Sequence, residues 1–166
     1  MASYVGIDPS TKTGLVRLDE DGEIWDEIEI SVGLNGREPT AKDMARLIDA
    51  VMGRLQKGDR IAIEGFGFAS QTGFLLGGIG WGIRMEIERA GMQYIEIAPS
   101  ALKKFSGAGG NAAKEILAVE VYKRWGVQYK SNNVTDAYVL AQIARAIHEP
   151  VRLIKCQTEV IQKLKG

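Results

Sequence analysis

The order in which strand-like and helix-like patterns succeed one another leaves this chain few folds to choose from. Three short runs, Ser3–Asp8, Thr13–Asp19 and Ile24–Ile30, read as strands before any helical periodicity appears. Pro9 stops the first, because it has no N–H to give a ladder and its φ is fixed. Asp19–Gly22 separates the second from the third with turn residues. From residue 40 onward helix and strand alternate. Helices are predicted over 40–56, 70–90, 99–105, 111–125, 133–148 and 157–165, and strands over 59–64 and 92–97. Short links between the first three strands imply an antiparallel meander, and a strand–helix–strand crossover implies parallel pairing. The order β-β-β-α-β-α-β-α-α-α, followed by the terminal helix over 157–165, therefore predicts an α/β fold: a five-stranded mixed sheet with helices on both faces.

The helix over 40–56 has the clearest pattern. Met44, Leu47, Ile48, Val51, Met52 and Leu55 form one apolar stripe, and Thr40 with Asp43 three residues on reads as a capping box. The helix over 70–90 contains Gly73, Gly77, Gly78, Gly80 and Gly82. Each glycine costs roughly 1 kcal/mol relative to alanine, so close packing must offset them. Glycines 73, 77 and 80 define a small-residue face on which another helix can approach. At 166 residues the chain matches one domain, expected as residues 1–150 with a C-terminal extension, 151–166, of the same unit.

Composition narrows the chemistry. Lys+Arg and Asp+Glu both total 21, so there is no global basic excess, although acids dominate residues 1–64 and bases residues 65–166. One cysteine, Cys156, and one histidine, His148, exclude a Cys-rich zinc site or a His cluster. Any metal site must be built from carboxylates, which select Mg²⁺ or Mn²⁺. Met1–Asp8 runs straight into a strand pattern, and no uncharged apolar run reaches membrane-spanning length. A soluble cytoplasmic protein with no membrane partner is expected.

Three carboxylates stand out by position. Asp8 closes the first strand, Glu64 closes the fourth, and Asp136 lies one turn into a late helix with Asn133 at i−3. If strands one and four are neighbours, the three can meet in one crevice. Such a cluster repels itself unless cations lie between the groups. Two hard divalent ions held by acids suit in-line displacement at phosphorus. The helix start at Asn133 is expected to favour ionised Asp136. Taken singly, each acid also has a structural reading, as turn chemistry or a solvated strand end.

The ordered set of motifs resembles the RuvC family of Holliday junction resolvases, which have the ribonuclease H-like fold. Gly6-Ile7-Asp8-Pro9-Ser10 with Thr13-Gly14 resembles the family's opening, and Ile61-Ala62-Ile63-Glu64 followed by aromatics its second acidic motif. Ile97-Ala98-Pro99-Ser100-Ala101-Leu102-Lys103 and Gly109-Gly110-Asn111-Ala112-Ala113-Lys114 resemble its two lysine segments, and Asn133-Val134-Thr135-Asp136-Ala137 its closing D-x-x-D-A. The resemblance implies a homodimeric, Mg²⁺-dependent endonuclease that resolves four-way junctions and takes other branched DNAs such as forks and flaps. It implies two ions per site, with Mn²⁺ able to substitute, and products with 5′-phosphate and 3′-hydroxyl ends. Asp8 would bridge the ions, Glu64 and Asp136 would each bind one, and Lys114 would stabilise charge at the scissile phosphate. Lys103 and Lys104 would contact the DNA backbone, and Phe66 or Phe68 would stack on unpaired bases.

Two departures bear on this. Asn133 stands where the family has an acid, though an amide oxygen can also serve Mg²⁺. Gly67 stands at the place of the family's wedge aromatic, flanked by Phe66 and Phe68. Together they look more like the phage branch of the family, whose members accept several branched DNAs. Two other readings use the same residues. Asp8–Gly14 also resembles the phosphate hairpin of sugar kinases and actin-like ATPases, but a second lobe and further phosphate motifs are missing. As an alternative, Asn133 also fits a catalytically weak protein that binds branched DNA.

Overall fold

The computed structural model describes residues 2–66 and 73–166. Five strands, β1 (Tyr4–Asp8), β2 (Lys12–Leu18), β3 (Ile24–Ser31), β4 (Arg60–Glu64) and β5 (Tyr94–Ile97), form one sheet in the order β3-β2-β1-β4-β5. The β3-β2-β1 part is antiparallel and β1-β4-β5 is parallel, so the predicted mixed sheet is present. Six helices accompany it among the described residues: α1 (Ala41–Met52), α2 (Gly73–Arg89), α3 (Pro99–Ser106), α4 (Lys114–Trp125), α5 (Asn132–His148) and α6 (Lys155–Lys165).

Period-two alternation divides the core. Val5, Ile7, Leu15, Ile61 and Ile63 face α1 and α2, where they meet Leu47, Val51, Ile79, Ile83 and Ile87. Tyr4, Val16, Leu18 and Ala62 belong to the other layer, with Leu102, Phe105, Leu117, Val121 and the inner residues of α5. Every residue of β1 is buried, as expected of a central strand covered on both faces.

Two glycines bring α5 unusually close. A Cβ at Gly6 would lie 1.9 Å from the carbonyl oxygen of Ala137, and one at Gly14 would lie 2.0 Å from that of Asn133. Only hydrogen fits at either place. The first turns of α5 are thereby pressed onto β1 and β2, at the end of the sheet where β1 finishes. The Ser131 hydroxyl caps the helix by accepting from the Val134 N–H at 3.3 Å.

Several boundaries differ from expectation. The capping box at Thr40 and Asp43 is present, and Arg37 forks onto the same carboxylate at 2.7 and 3.0 Å. The helix it starts ends at Met52, however, because Gly53 and the turn that follows lead to Gly58 at φ 92°; Leu55 still packs on the core from outside the helix. The helix expected from Asn111 begins at Lys114, since the N–H of Ala112 closes a turn on the Gly109 carbonyl. Residue 70, where the glycine-rich helix was expected to start, lies outside the described residues. Within α2 the packed glycines are Gly80 and Gly82. A Cβ at Gly82 would lie 2.3 Å from Ile48 of α1, whereas one at Gly73, Gly77 or Gly78 would meet nothing among the described residues. Within the chain, close packing therefore falls at positions 80 and 82 and not at 73 and 77. No helix among the described residues is long and apolar enough to cross a membrane.

Candidate metal centre

Asp8 and Glu64 are the last residues of adjacent parallel strands. Each shares the parity of a residue facing α5, Gly6 in β1 and Ala62 in β4, and this parity brings both carboxylates to the end of the sheet against which α5 begins. Asp136, one turn into α5, completes the group. One carboxylate oxygen from each of Asp8, Glu64 and Asp136 lies within 4.8 Å of the other two. No other set of three His, Cys, Asp or Glu residues is so placed among the described residues.

The electrostatics are those of a crowded acidic site. Asp8 is only 7% exposed. Burial first, then the charge and hydrogen bond of Glu64 and the charge of Asp136, hold its carboxyl well above the usual carboxylate range; Lys114 opposes them. Asp136 is pushed up to about 7, by burial and then by Glu64, against the pull of Lys114, the Asp8 hydrogen bond and Lys103. The expectation that the helix start would keep Asp136 ionised is thus reversed. Desolvation and like charge outweigh a half-charge at a helix end. All three donors are hard oxygens packed more tightly than their charges allow in the absence of a counter-ion, and that fits a divalent cation of the Mg²⁺ or Mn²⁺ type.

The remaining predicted residues fall into distinct places. Lys114, the exposed first residue of α4, and half-buried Lys103 of α3 are both close enough to act on Asp136. Lys104, one residue on, points to α6 and pairs with Glu159 at 2.7 Å. Asn133 donates its side-chain N–H to the Lys12 carbonyl at 2.7 Å, which ties the start of α5 to β2. Phe66 is half-buried, with its ring centroid 5.6 Å from that of Trp81. Phe68 lies outside the described residues.

The Asp8–Gly14 turn closes on itself. Thr13 Oγ1 donates to the Ser10 carbonyl at 2.6 Å and accepts from the Ser10 N–H at 3.2 Å, while the Ser10 hydroxyl accepts from the Lys12 N–H at 3.3 Å. Two backbone amides that a phosphate-binding hairpin would offer are therefore engaged. Sequence reasoning missed Arg84, which is buried beside the cluster and donates to the Glu64 carbonyl at 3.0 Å. Its one available signal was a charged residue on the apolar side of a helix, four positions after Gly80.

No protein-family model matches the chain, and no curated protein matches it. Solved structures do. A structure of Thermus thermophilus RuvC superposes with a TM-score of 0.68 at 21% identity, covering 84% of this chain and 90% of that one. T. thermophilus RuvC in complex with a Holliday junction substrate gives a TM-score of 0.65 at 20% identity, with the same coverage. The chain therefore has the fold of T. thermophilus RuvC, the ribonuclease H-like fold expected from its motifs.

Proposed function

We propose that this protein is a divalent-metal-dependent endonuclease that resolves Holliday junctions and cuts related branched DNAs. The observation that carries the reading is the meeting of Asp8, Glu64 and Asp136 at one end of a sheet whose fold is shared with a protein solved on a Holliday junction. Asp8, Glu64 and Asp136 would hold two Mg²⁺ ions, or Mn²⁺ in their place, with Asn133 as a further, uncharged ligand. Bound there, the ions would supply positive charge to the attacking and leaving oxygens of an in-line displacement, which leaves 5′-phosphate and 3′-hydroxyl ends.

The chain's own groups do the rest. Lys114, next to Asp136, neutralises charge that builds on the scissile phosphate. Lys103 holds the neighbouring backbone, and Phe66 stacks on unpaired bases at the branch point. Residues 1–150 act as the nuclease domain. The segment 151–166 extends it, with Val160 and Ile161 of α6 buried in the same core layer as α3 and α5.

A four-way junction has two-fold symmetry, which favours a C2 dimer. Phe74, Trp81 and Met85 stand exposed along one face of α2, with Gly77 and Gly78 open between them. This apolar, small-residue face would pair with its copy across the dimer axis. The test is incubation with a synthetic four-way junction in Mg²⁺, followed by ligase. Paired nicks that ligase reseals are expected. Tight junction binding with no nicks in Mg²⁺ or Mn²⁺ would instead identify a binding protein and defeat the nuclease reading.

A further inference from the structure

Arg84 is 1% exposed, and a buried guanidinium needs its donors met. Its Nε donates to Glu96 Oε1 at 2.7 Å, Nη1 to the Gly80 carbonyl at 3.0 Å, and Nη2 to the Glu64 carbonyl at 3.0 Å. Its Cζ sits 4.3 Å from the centroid of the Phe66 ring and 5.8 Å from that of Tyr94. One side chain thus touches the main chain of a carboxylate residue of the acidic cluster, the ring of the nearest described aromatic, and helix α2.

The reason lies in the ladder. The Arg60 N–H donates to the Ser3 carbonyl, which sets the phase of the parallel β1–β4 pairing. Continued at its two-residue repeat, that pairing would place the N–H of residue 9 against the Glu64 carbonyl. Residue 9 is proline and has no N–H. Without a substitute donor the peptide after Glu64 is free to tilt, and the carboxylate with it. The guanidinium supplies that donor. Gly80, one turn earlier on the same helix face, makes the approach possible: a Cβ there would lie 2.7 Å from Phe66 and 3.0 Å from Arg84 Nη1.

We propose that Arg84 is a positioning residue, which replaces the missing proline N–H to fix the aim of Glu64 and holds the Phe66 ring in the same grip. The assignment rests on the reading of Glu64 as a metal ligand. A planar fork reaches three acceptors on three elements while stacking on a ring, and a lysine ammonium does not. Arg84→Lys keeps the charge and much of the volume, so it separates positioning from filling space.

The test uses the full chain labelled with 5-fluorotryptophan, the Trp81 resonance being assigned with Trp81→Phe. Thermal melting reports folding, Mn²⁺ titration followed by electron paramagnetic resonance reports the metal site, and the fluorine shift of Trp81 reports Phe66. Arg84→Lys is expected to fold, to bind Mn²⁺ about tenfold more weakly, and to shift the Trp81 resonance while Trp25 and Trp125 stay in place. Junction cleavage by the variant should recover as Mg²⁺ is raised. Arg84→Met should exaggerate each change; if it does not fold, Arg84→Lys decides. An Arg84→Lys protein with wild-type Mn²⁺ affinity and an unmoved Trp81 signal, even one that melts earlier, overturns the proposal and leaves Arg84 a packing residue. A wild-type protein that binds no Mn²⁺ overturns the metal centre itself, and this assignment with it.

Discussion

Removing one of the clustered acids should make the metal-free protein more stable. Asp136 has its carboxyl pushed up from an ordinary 3.8 to about 7, by burial and by Glu64, and Asp8 moves in the same direction. An acid whose folded pKa lies above its unfolded value stabilises the fold while protonated. That contribution is complete below pH about 4 and is lost as pH rises through about 7. At pH 8 the ionised Asp136 therefore costs the fold about 4 kcal/mol relative to the unfolded chain. For a protein of this length 1 kcal/mol corresponds to about 2–4 °C, so the cost is about 10 °C in Tm. Asparagine has nearly the same shape and no charge. In EDTA, Asp136→Asn should melt about 10 °C higher than wild type at pH 8 and about 4 °C higher at pH 5, the gap closing below pH about 4. Mg²⁺ should raise the wild-type Tm at pH 8, do little at pH 5, and do little for the variant at either pH. Thermal scanning fluorimetry on both proteins, with and without Mg²⁺, reads all of this. If Asp136→Asn in EDTA at pH 8 melts at or below wild type, the reasoning from crowded, desolvated carboxylates is wrong.

Three further predictions follow from the geometry. Gly14→Ala places a Cβ 2.0 Å from the Asn133 carbonyl oxygen; urea unfolding should show a loss of about 3 kcal/mol, with weaker Mn²⁺ binding because Asp136 is displaced. Lys114→Gln should slow single-turnover junction cleavage by about a hundredfold, and Lys104→Gln far less, because its Nζ is held by Glu159; rates at saturating protein check the ranking. Gly77→Leu should fold normally, since a Cβ at Gly77 meets nothing among the described residues, but should sediment as a monomer; a wild-type protein already monomeric at micromolar concentration would contradict the α2 pairing.

Much of this was legible in the sequence, for identifiable reasons. The capping box at Thr40 and Asp43 and the apolar stripe behind it are local signals, and no distant contact overrode them. Asp8 and Glu64 could be paired because each ends a strand, on the condition that the first and fourth strands are neighbours, which the sheet order meets. What escaped depends on contacts distant in sequence. α5 is buried on nearly all sides, so its periodicity gave no warning that Gly6 and Gly14 would draw it so close. Lys103 and Lys104 are adjacent in a short helix, and only the place of α6 sends one toward Asp136 and the other to Glu159. Arg84 looks like an exposed charge in a list of residues. Its burial depends on Glu96, Gly80 and the proline gap beside Glu64. The reversal of Asp136's ionisation has the same origin, because a helix-end argument is local and desolvation is not.

The most direct test of the central claim compares wild type with Asp8→Asn on a labelled four-way junction and on linear duplex of the same sequences, in Mg²⁺ and in EDTA. Wild type should cut the junction only when Mg²⁺ is present and leave the duplex intact. Asp8→Asn should bind the junction at least as tightly and not cut it. Cleavage by Asp8→Asn at the wild-type rate, or wild-type cutting that persists in EDTA, would rule out a nuclease centre built on this metal site.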